Sequence, residues 1–482
     1  MSAVVAEPVS RRLADALAAT QYADLPQQAL VDTRRAILDW LGSALAGSTE
    51  RPARLAQYVV TKLGTSNEAT VFSAGRSSAA GAALANGVAS HILELDDVHK
   101  GSTLHAAAAI IPAALAVAER EHADGRSFLL AVALGYEAAL RIGEAVNPDH
   151  YRFWHPTGTA ATFGAAVAAG RLLRLDAAQM LDALGTAGTQ AAGLWEFNAD
   201  GAMSKHLHPG KAAMNGVLAA DLAAVGFTGA TKILEGDRGF FRATARSFDA
   251  SRVTDGLGSH WKISENCYKM HSCCGHTHSA VDVALELRSR AKAANIKAVT
   301  IEAYGPGVAI VKEPNPSSPY RAQFSIAYCV ATALAEGHVG LAQFSADRFG
   351  EDGVRDLAIA SLLARTTVRV ADDLTAKYPA AWPARITLEL MDGKTLRGAA
   401  DYPRGNPENA VTTEELETKF TGLVAPRFGT EVARRGIASV DSLADCRDVA
   451  ELFRDLAQAG APTIDPSVAV LPRDDMLGRR NE

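Results

Sequence analysis

A chain of 482 residues with a formal net charge of −6 has no basic excess to neutralise phosphates, which argues against a nucleic-acid binder. Hydrophobic residues at 48% and charged residues at 21% supply ample core material, and the length allows about two to three domains. The longest apolar run, residues 106–117, is too short to span a bilayer, and residues 1–12 lack an apolar stretch of signal-peptide length. Five cysteines (Cys267, Cys273, Cys274, Cys329, Cys446) fall into no spaced framework, so the expectation is a reduced, cytoplasmic protein that does not engage membranes.

Along the first half, apolar residues recur at three- and four-residue spacing. This predicts helices over 27–46, 106–119, 128–146, 159–173 and 212–225, with a short strand-like run at 69–72. Asn147-Pro148-Asp149 is one of the punctuating turns. After residue 264 the character changes. Residues 298–304 and 366–370 alternate with β-branched side chains, and 384–391 reach Asp392-Gly393 and return through 394–399, which predicts a hairpin. Helical periodicity resumes after 406, including a helix over 446–456, and the last fifteen residues read as a surface tail. The fold class expected is mainly α: a large discontinuous all-helical domain (1–264 and 406–482) and a smaller α+β lid domain (265–405).

Four clusters carry polar chemistry. The first runs from His91 through Glu94, Asp96, Asp97 and His99 to His105, just ahead of an apolar helix whose N-terminus favours an anion. Its bland reading is a solvated loop that caps that helix. The second is Trp154-His155-Pro156-Thr157, again at a helix entrance. The third places Lys205, His206, His208 and Lys211 before the helix expected near Ala212, where a self-solvating basic loop is the commoner outcome. The fourth holds Lys269, His271, Cys273, Cys274, His276 and His278. Adjacent cysteines followed by His-x-His do not match the spacing of zinc ligands, so the cysteines read as small packing residues in a turn. No dinucleotide, P-loop or Gly-x-Ser-x-Gly signature is present.

Taken in order, these stretches resemble the MmgE/PrpD family. The resemblance runs from Ala85-Asn86-Gly87 and the Glu-Leu-Asp-Asp-x-His block through Trp154-His155 and Lys205. It continues through Gly226-Phe227-Thr228-Gly229, the Lys269–His278 run and Ala322-Gln323-Phe324-Ser325 to Arg404-Gly405-Asn406-Pro407. That family holds dehydratases, decarboxylases and epimerases of small polycarboxylic acids. The resemblance implies a homodimer, no cofactor, no metal, and a site between the two domains. It carries over to His105, His155, Lys205, Lys269, Asp96 and Tyr320 as catalytic residues, with Glu94, Asp97 and His278 beside the lysines as substrate-binding residues. Lys205, Lys269 and His155 would hold carboxylates on a cationic floor, His105 would exchange protons, and Tyr320 or His278 would complete the site from the lid. Such cations stabilise charge developing next to a carboxylate, and a near-neutral imidazole moves the proton. Dehydration or decarboxylation is the first expectation and epimerisation on the same carbanion scheme the alternative. A non-catalytic carboxylate-binding helical protein is the rival of another class.

Overall fold

The computed structural model of the protein describes residues 7–64 and 66–458, so the expected surface tail lies outside the described residues. The chain is mainly helical with a smaller α+β part. Among the described residues, no helix is long and apolar enough to cross a membrane.

Small side chains set the packing of the helical body. Helices Gln27–Gly47, Ala79–Ser90, Ala107–Arg120, Gly125–Val146, Ala160–Leu172 and Ser204–Ala224 share one buried core. Their backbones approach closely at bare positions. A Cβ on Gly164 would lie 2.5 Å from the Gly135 carbonyl, and one on Gly216 2.4 Å from the Ala165 Cβ. The chain returns to this core through helix Thr413–Phe428, which packs on Gln27–Gly47 and buries Leu416, Phe420 and Leu423.

One helix departs from expectation. It begins at Ser204 rather than near Ala212 and runs through Pro209. Pro209-Gly210 looks like punctuation, because a proline six residues into a helix loses its bond to the Lys205 carbonyl and crowds it, so tertiary packing must offset that cost. Gly210 in turn gives a bare surface to the Ala79–Ser90 helix, since a Cβ there would sit 2.5 Å from the Leu84 carbonyl. Lys205, His206 and His208 therefore sit on the opening turns of a helix instead of in a solvated loop.

The second core lies around a four-stranded sheet in the order Thr366–Val370, Ile296–Ala303, Ala384–Leu390, Thr395–Ala400. The first pair is parallel and the others antiparallel, and the last two strands form the hairpin expected at Asp392-Gly393. Val281, Ala284 and Leu287 of helix His278–Arg288 cover the sheet face that carries Ile301, Ile386 and Leu388.

Backbone bonds lace the segment that leads into this part onto the helical body. Val98 and Cys267 exchange N–H to carbonyl bonds of 2.8 and 2.9 Å, and the Ser272 hydroxyl donates to the Leu93 carbonyl at 2.7 Å. Tyr268 N–H donates to the Gly405 carbonyl at 3.0 Å. Gly405 has φ of +95°, and a Cβ there would sit 2.0 Å from the Tyr268 carbonyl, so only glycine fits without displacement. Gly405→Ala is expected to lower stability by about 1–3 kcal/mol, as for residues forced into rare backbone regions. The readout is the chemical denaturation midpoint by circular dichroism, and an unchanged midpoint would contradict this junction.

Candidate active site

The 91–105 segment is built around three buried acids. His91 caps the end of helix Ala79–Ser90, and Glu94 then adopts a left-handed φ of 54° that is uncommon outside glycine. Glu94, Asp96 and Asp97 are only 2%, 0% and 0% exposed, so the solvated-loop reading of this stretch does not hold. Buried charges of this kind persist only when paired.

Two lysines from distant segments supply the pairing. Glu94 accepts from Lys205, and its other oxygen lies 3.3 Å from Lys269 Nζ. Asp96 is 3.2 Å from Lys269 Nζ, 2.6 Å from His91 Nδ1 and 3.5 Å from His105 Nδ1. Behind them Lys419 donates to the Leu95 carbonyl and to Asp39, each at 2.6 Å, so the returning C-terminal helix holds the loop in place. Burial pushes the Glu94 carboxyl up, but Lys205 and Lys269 outweigh it and hold Glu94 below the usual range. Asp96 is likewise held well below the usual range, because His91 and Lys269 outweigh burial. Burial would lower Lys269, yet Asp96 and Glu94 raise it. Two ammonium groups thus face two carboxylates. The floor expected to be cationic is instead a balanced network, because the same motif that carries His105 also carries both acids.

Imidazoles cover this network. The rings of His91 and His105 are 4.8 Å apart, His91 and His155 5.6 Å, and His105 and His155 6.1 Å. His105 Nδ1 donates to the Asp97 carbonyl at 2.6 Å, which leaves the lone pair on Nε2. Burial lowers His105 well below its ordinary value of 6.5 against the opposing pull of Asp96, so the ring stays uncharged near neutrality. Burial and then His208 lower His155 in the same way, and the Nδ1 atoms of this second pair are 3.0 Å apart. His206 and His208 are pushed down to about 3, chiefly by burial. His91, His206 and His208 belong to motifs recognised in the sequence but were not singled out as site residues. His91 had a signal, an aspartate five residues on in the same loop; the other two depended on a helix start read eight residues too late.

The remaining predicted residues sit around this centre. Asp97 accepts from the Tyr136 hydroxyl at 2.6 Å, from Asn266 at 2.9 Å and from the Ala107 N–H at 3.1 Å, so it braces the next helix start. Burial pushes Asp97 up to about 7 despite these donors. His278 donates to the Cys273 carbonyl at 3.2 Å and shares a small void with Lys269, Val98 and Trp382. Tyr320 stacks on Phe324 at 4.9 Å, and the Phe324 ring lies 4.7 Å from Lys205 Nζ. Tyr320 also lines an open cavity of about 480 Å³ with Asn198, Lys312, Arg321 and Phe324. The Cys-Cys-Gly-His-Thr-His run packs as a turn. Cys273 lies 3.0 Å from the Thr277 hydroxyl, and His276 Nδ1 lies 2.5 Å from the Tyr304 hydroxyl.

The fold and the site define a mainly helical protein with a buried acid–base cluster drawn from separated segments. The MmgE/PrpD N-terminal domain matches residues 11–253 and the MmgE/PrpD C-terminal domain residues 271–445, and the chain belongs to the MmgE/PrpD family. The chain is 28% identical over 457 residues to the cis-aconitate decarboxylase-like protein oryM of Aspergillus oryzae, covering 89% of this chain and 93% of that protein. It is 29% identical over 399 residues to a cis-aconitate decarboxylase of Aspergillus terreus (77% of this chain, 80% of that one). It is 27% identical over 477 residues to the cis-aconitate decarboxylase of Homo sapiens (95% and 96%).

Removing one partner of a buried ion pair leaves an uncompensated charge. Glu94→Gln is therefore expected to lower unfolding free energy by about 3–5 kcal/mol near neutral pH. Glu94 titrates below its ordinary 4.5 in the folded chain, so the unfolded chain takes up the proton first. The Glu94 contribution is then complete above pH 4.5 and fades as pH falls through the lower folded value. Denaturant titrations of both chains across pH test this, and a mutant equal to the parent at pH 7 would contradict the network.

Proposed function

We propose that this chain is a lyase acting on a small di- or tricarboxylic acid by proton transfer next to a carboxylate, without an added cofactor. Cis-aconitate or a close analogue is the first candidate, because the similar proteins are named for its decarboxylation. The observation that carries the reading is His105: a half-buried, uncharged imidazole fixed by its Nδ1–H to the Asp97 carbonyl, beside Lys269, which pairs with Glu94 and Asp96.

In this scheme the substrate enters past Tyr320 and Phe324, and its carboxylates approach Lys205, Lys269 and His155. His105 exchanges a proton at the carbon next to a carboxylate. When a carbon–carbon bond to a leaving carboxylate breaks, CO₂ departs, and the electron pair stays on the substrate carbon and spreads into the remaining carboxylate. Charge gathers there, where preorganised ammonium groups in a water-poor pocket stabilise it most. A solvent-derived proton relayed through His105 Nε2 then forms the new C–H bond. The partner carboxylates matter because an unpaired buried lysine gives up its proton. We further place the protein in the cytoplasm as a homodimer.

Incubation in D₂O with a panel of tri- and dicarboxylates, read by NMR, separates CO₂ loss, dehydration and simple exchange. His105→Ala is expected to lose about 10²–10⁴-fold in turnover, the usual contribution of a positioned base. Lys205→Ala is expected to lose about 10²-fold or more. Full turnover in either variant would overturn the assignment, as would loss of turnover in chelator. Because the folded pKa of His105 lies below 6.5, kcat/KM is expected to hold through pH 6.5 and fall only at lower pH. An acid limb centred above 6.5 would point to another base.

A further inference from the structure

Two nitrogens in the histidine cluster, His91 Nε2 and His206 Nδ1, are buried without any partner. An orphaned buried polar atom costs about 1–3 kcal/mol, so the cluster is arranged to receive something. Lys205 and Lys269 hydrogen-bond to Glu94 and Asp96 and pair with neither of these two nitrogens. What remains on offer is lone pairs. One ring nitrogen from each of His91, His105 and His155 lies within 4.8 Å of the other two.

Each of these rings is also tied at Nδ1. His91 donates to the Asp96 carboxylate at 2.6 Å, His105 donates to the Asp97 carbonyl at 2.6 Å, and His155 Nδ1 lies 3.0 Å from His208 Nδ1, one of the two rings donating to the other. Carboxylate and backbone-carbonyl partners of this kind fix the tautomer of metal-binding imidazoles and leave Nε2 with its lone pair. The other cluster of potential ligands among the described residues, His99, Glu144 and Glu265, differs in one respect. Lys262 Nζ already lies 3.0 Å from both of its carboxylates, so its cation is built in.

We infer that His91, His105 and His155 form a three-imidazole site for one divalent transition-metal ion of the zinc class, with a fourth position open. Zinc–nitrogen bonds of about 2.0–2.1 Å place tetrahedral ligands roughly 3.4 Å apart. The widest pair, at up to 4.8 Å, must then close by about 1.4 Å. The imidazole χ2 torsion is broad enough to allow that. The ligands come from three separate segments, so no spacing in the sequence announces the site. The inference goes beyond the lyase reading: an ion here takes the lone pair that His105 needs as a base, so the metal-bound form is the silent one.

The test uses the full-length protein freed of metal by chelation and dialysis. Titration with Zn²⁺ by calorimetry is expected to show one saturable site per chain. Co²⁺ loaded in its place is expected to give X-ray absorption with an imidazole-rich nitrogen shell, a result that needs no variant. Asp96→Asn is expected to weaken Zn²⁺ binding about 10–100-fold through loss of the outer partner. His155→Gln is expected to weaken it at least as much, while His338→Gln, at an exposed position, leaves it unchanged. No saturable binding, an oxygen-only shell, or equal affinity in His155→Gln overturns the inference. Binding is read without turnover, so the two readings fail separately. Turnover without a metal site overturns only this inference, and a metal site without turnover overturns only the lyase reading.

Discussion

The buried pairing of Glu94 and Asp96 with Lys205 and Lys269 is the constraint on which the rest of the site depends. Each charge alone in so dry a place would cost several kcal/mol or neutralise itself. Together they hold one another ionised and pin three chain segments: the loop after helix Ala79–Ser90, the first turn of helix Ser204–Ala224, and the strand-like stretch leading into the second core. Lys419 adds the returning C-terminal helix to the same knot. The fold therefore depends on a costly element that also lies at the candidate site.

That element lies beneath His105, His155 and His206, whose ordinary values burial lowers first. The lysines lower them further, against the pull of Asp96 on His105 and of Glu94 and Asp96 on His206. Ammonium groups paired with carboxylates beside an uncharged His105 suit chemistry in which a proton moves at carbon and negative charge appears beside a carboxylate. The inferred metal site would take the same His105 lone pair that the proposed proton transfer needs, so the two would compete.

Much of the architecture was legible in the sequence because it follows from periodicity. The Asp392-Gly393 hairpin, the alternating strands, and most of the long helices lie where residue spacing predicts. The helix start at Ser204 was missed because Pro209-Gly210 mimics a stop, while its reason, contact with helix Ala79–Ser90, is tertiary. The residues of the site were legible as motifs, but their pairing was not. Nothing in the local pattern says that Glu94 faces Lys205 across 111 positions, so a cationic floor was expected where a balanced one stands. Asp97 illustrates the same limit: its neighbours in sequence are site residues, yet its oxygens hold Tyr136, Asn266 and the next helix start. The histidine cluster was least visible, since it exists only once three segments meet.

The central claim, an uncharged His105 oriented by the Asp97 carbonyl above a charged network, is tested most directly by nitrogen-15 NMR of the histidine side chains in the metal-free protein at neutral pH. His105, assigned by comparison with His105→Gln, is expected to show the neutral tautomer protonated at Nδ1, with the unprotonated nitrogen at Nε2. An imidazolium, or the opposite tautomer, would contradict it.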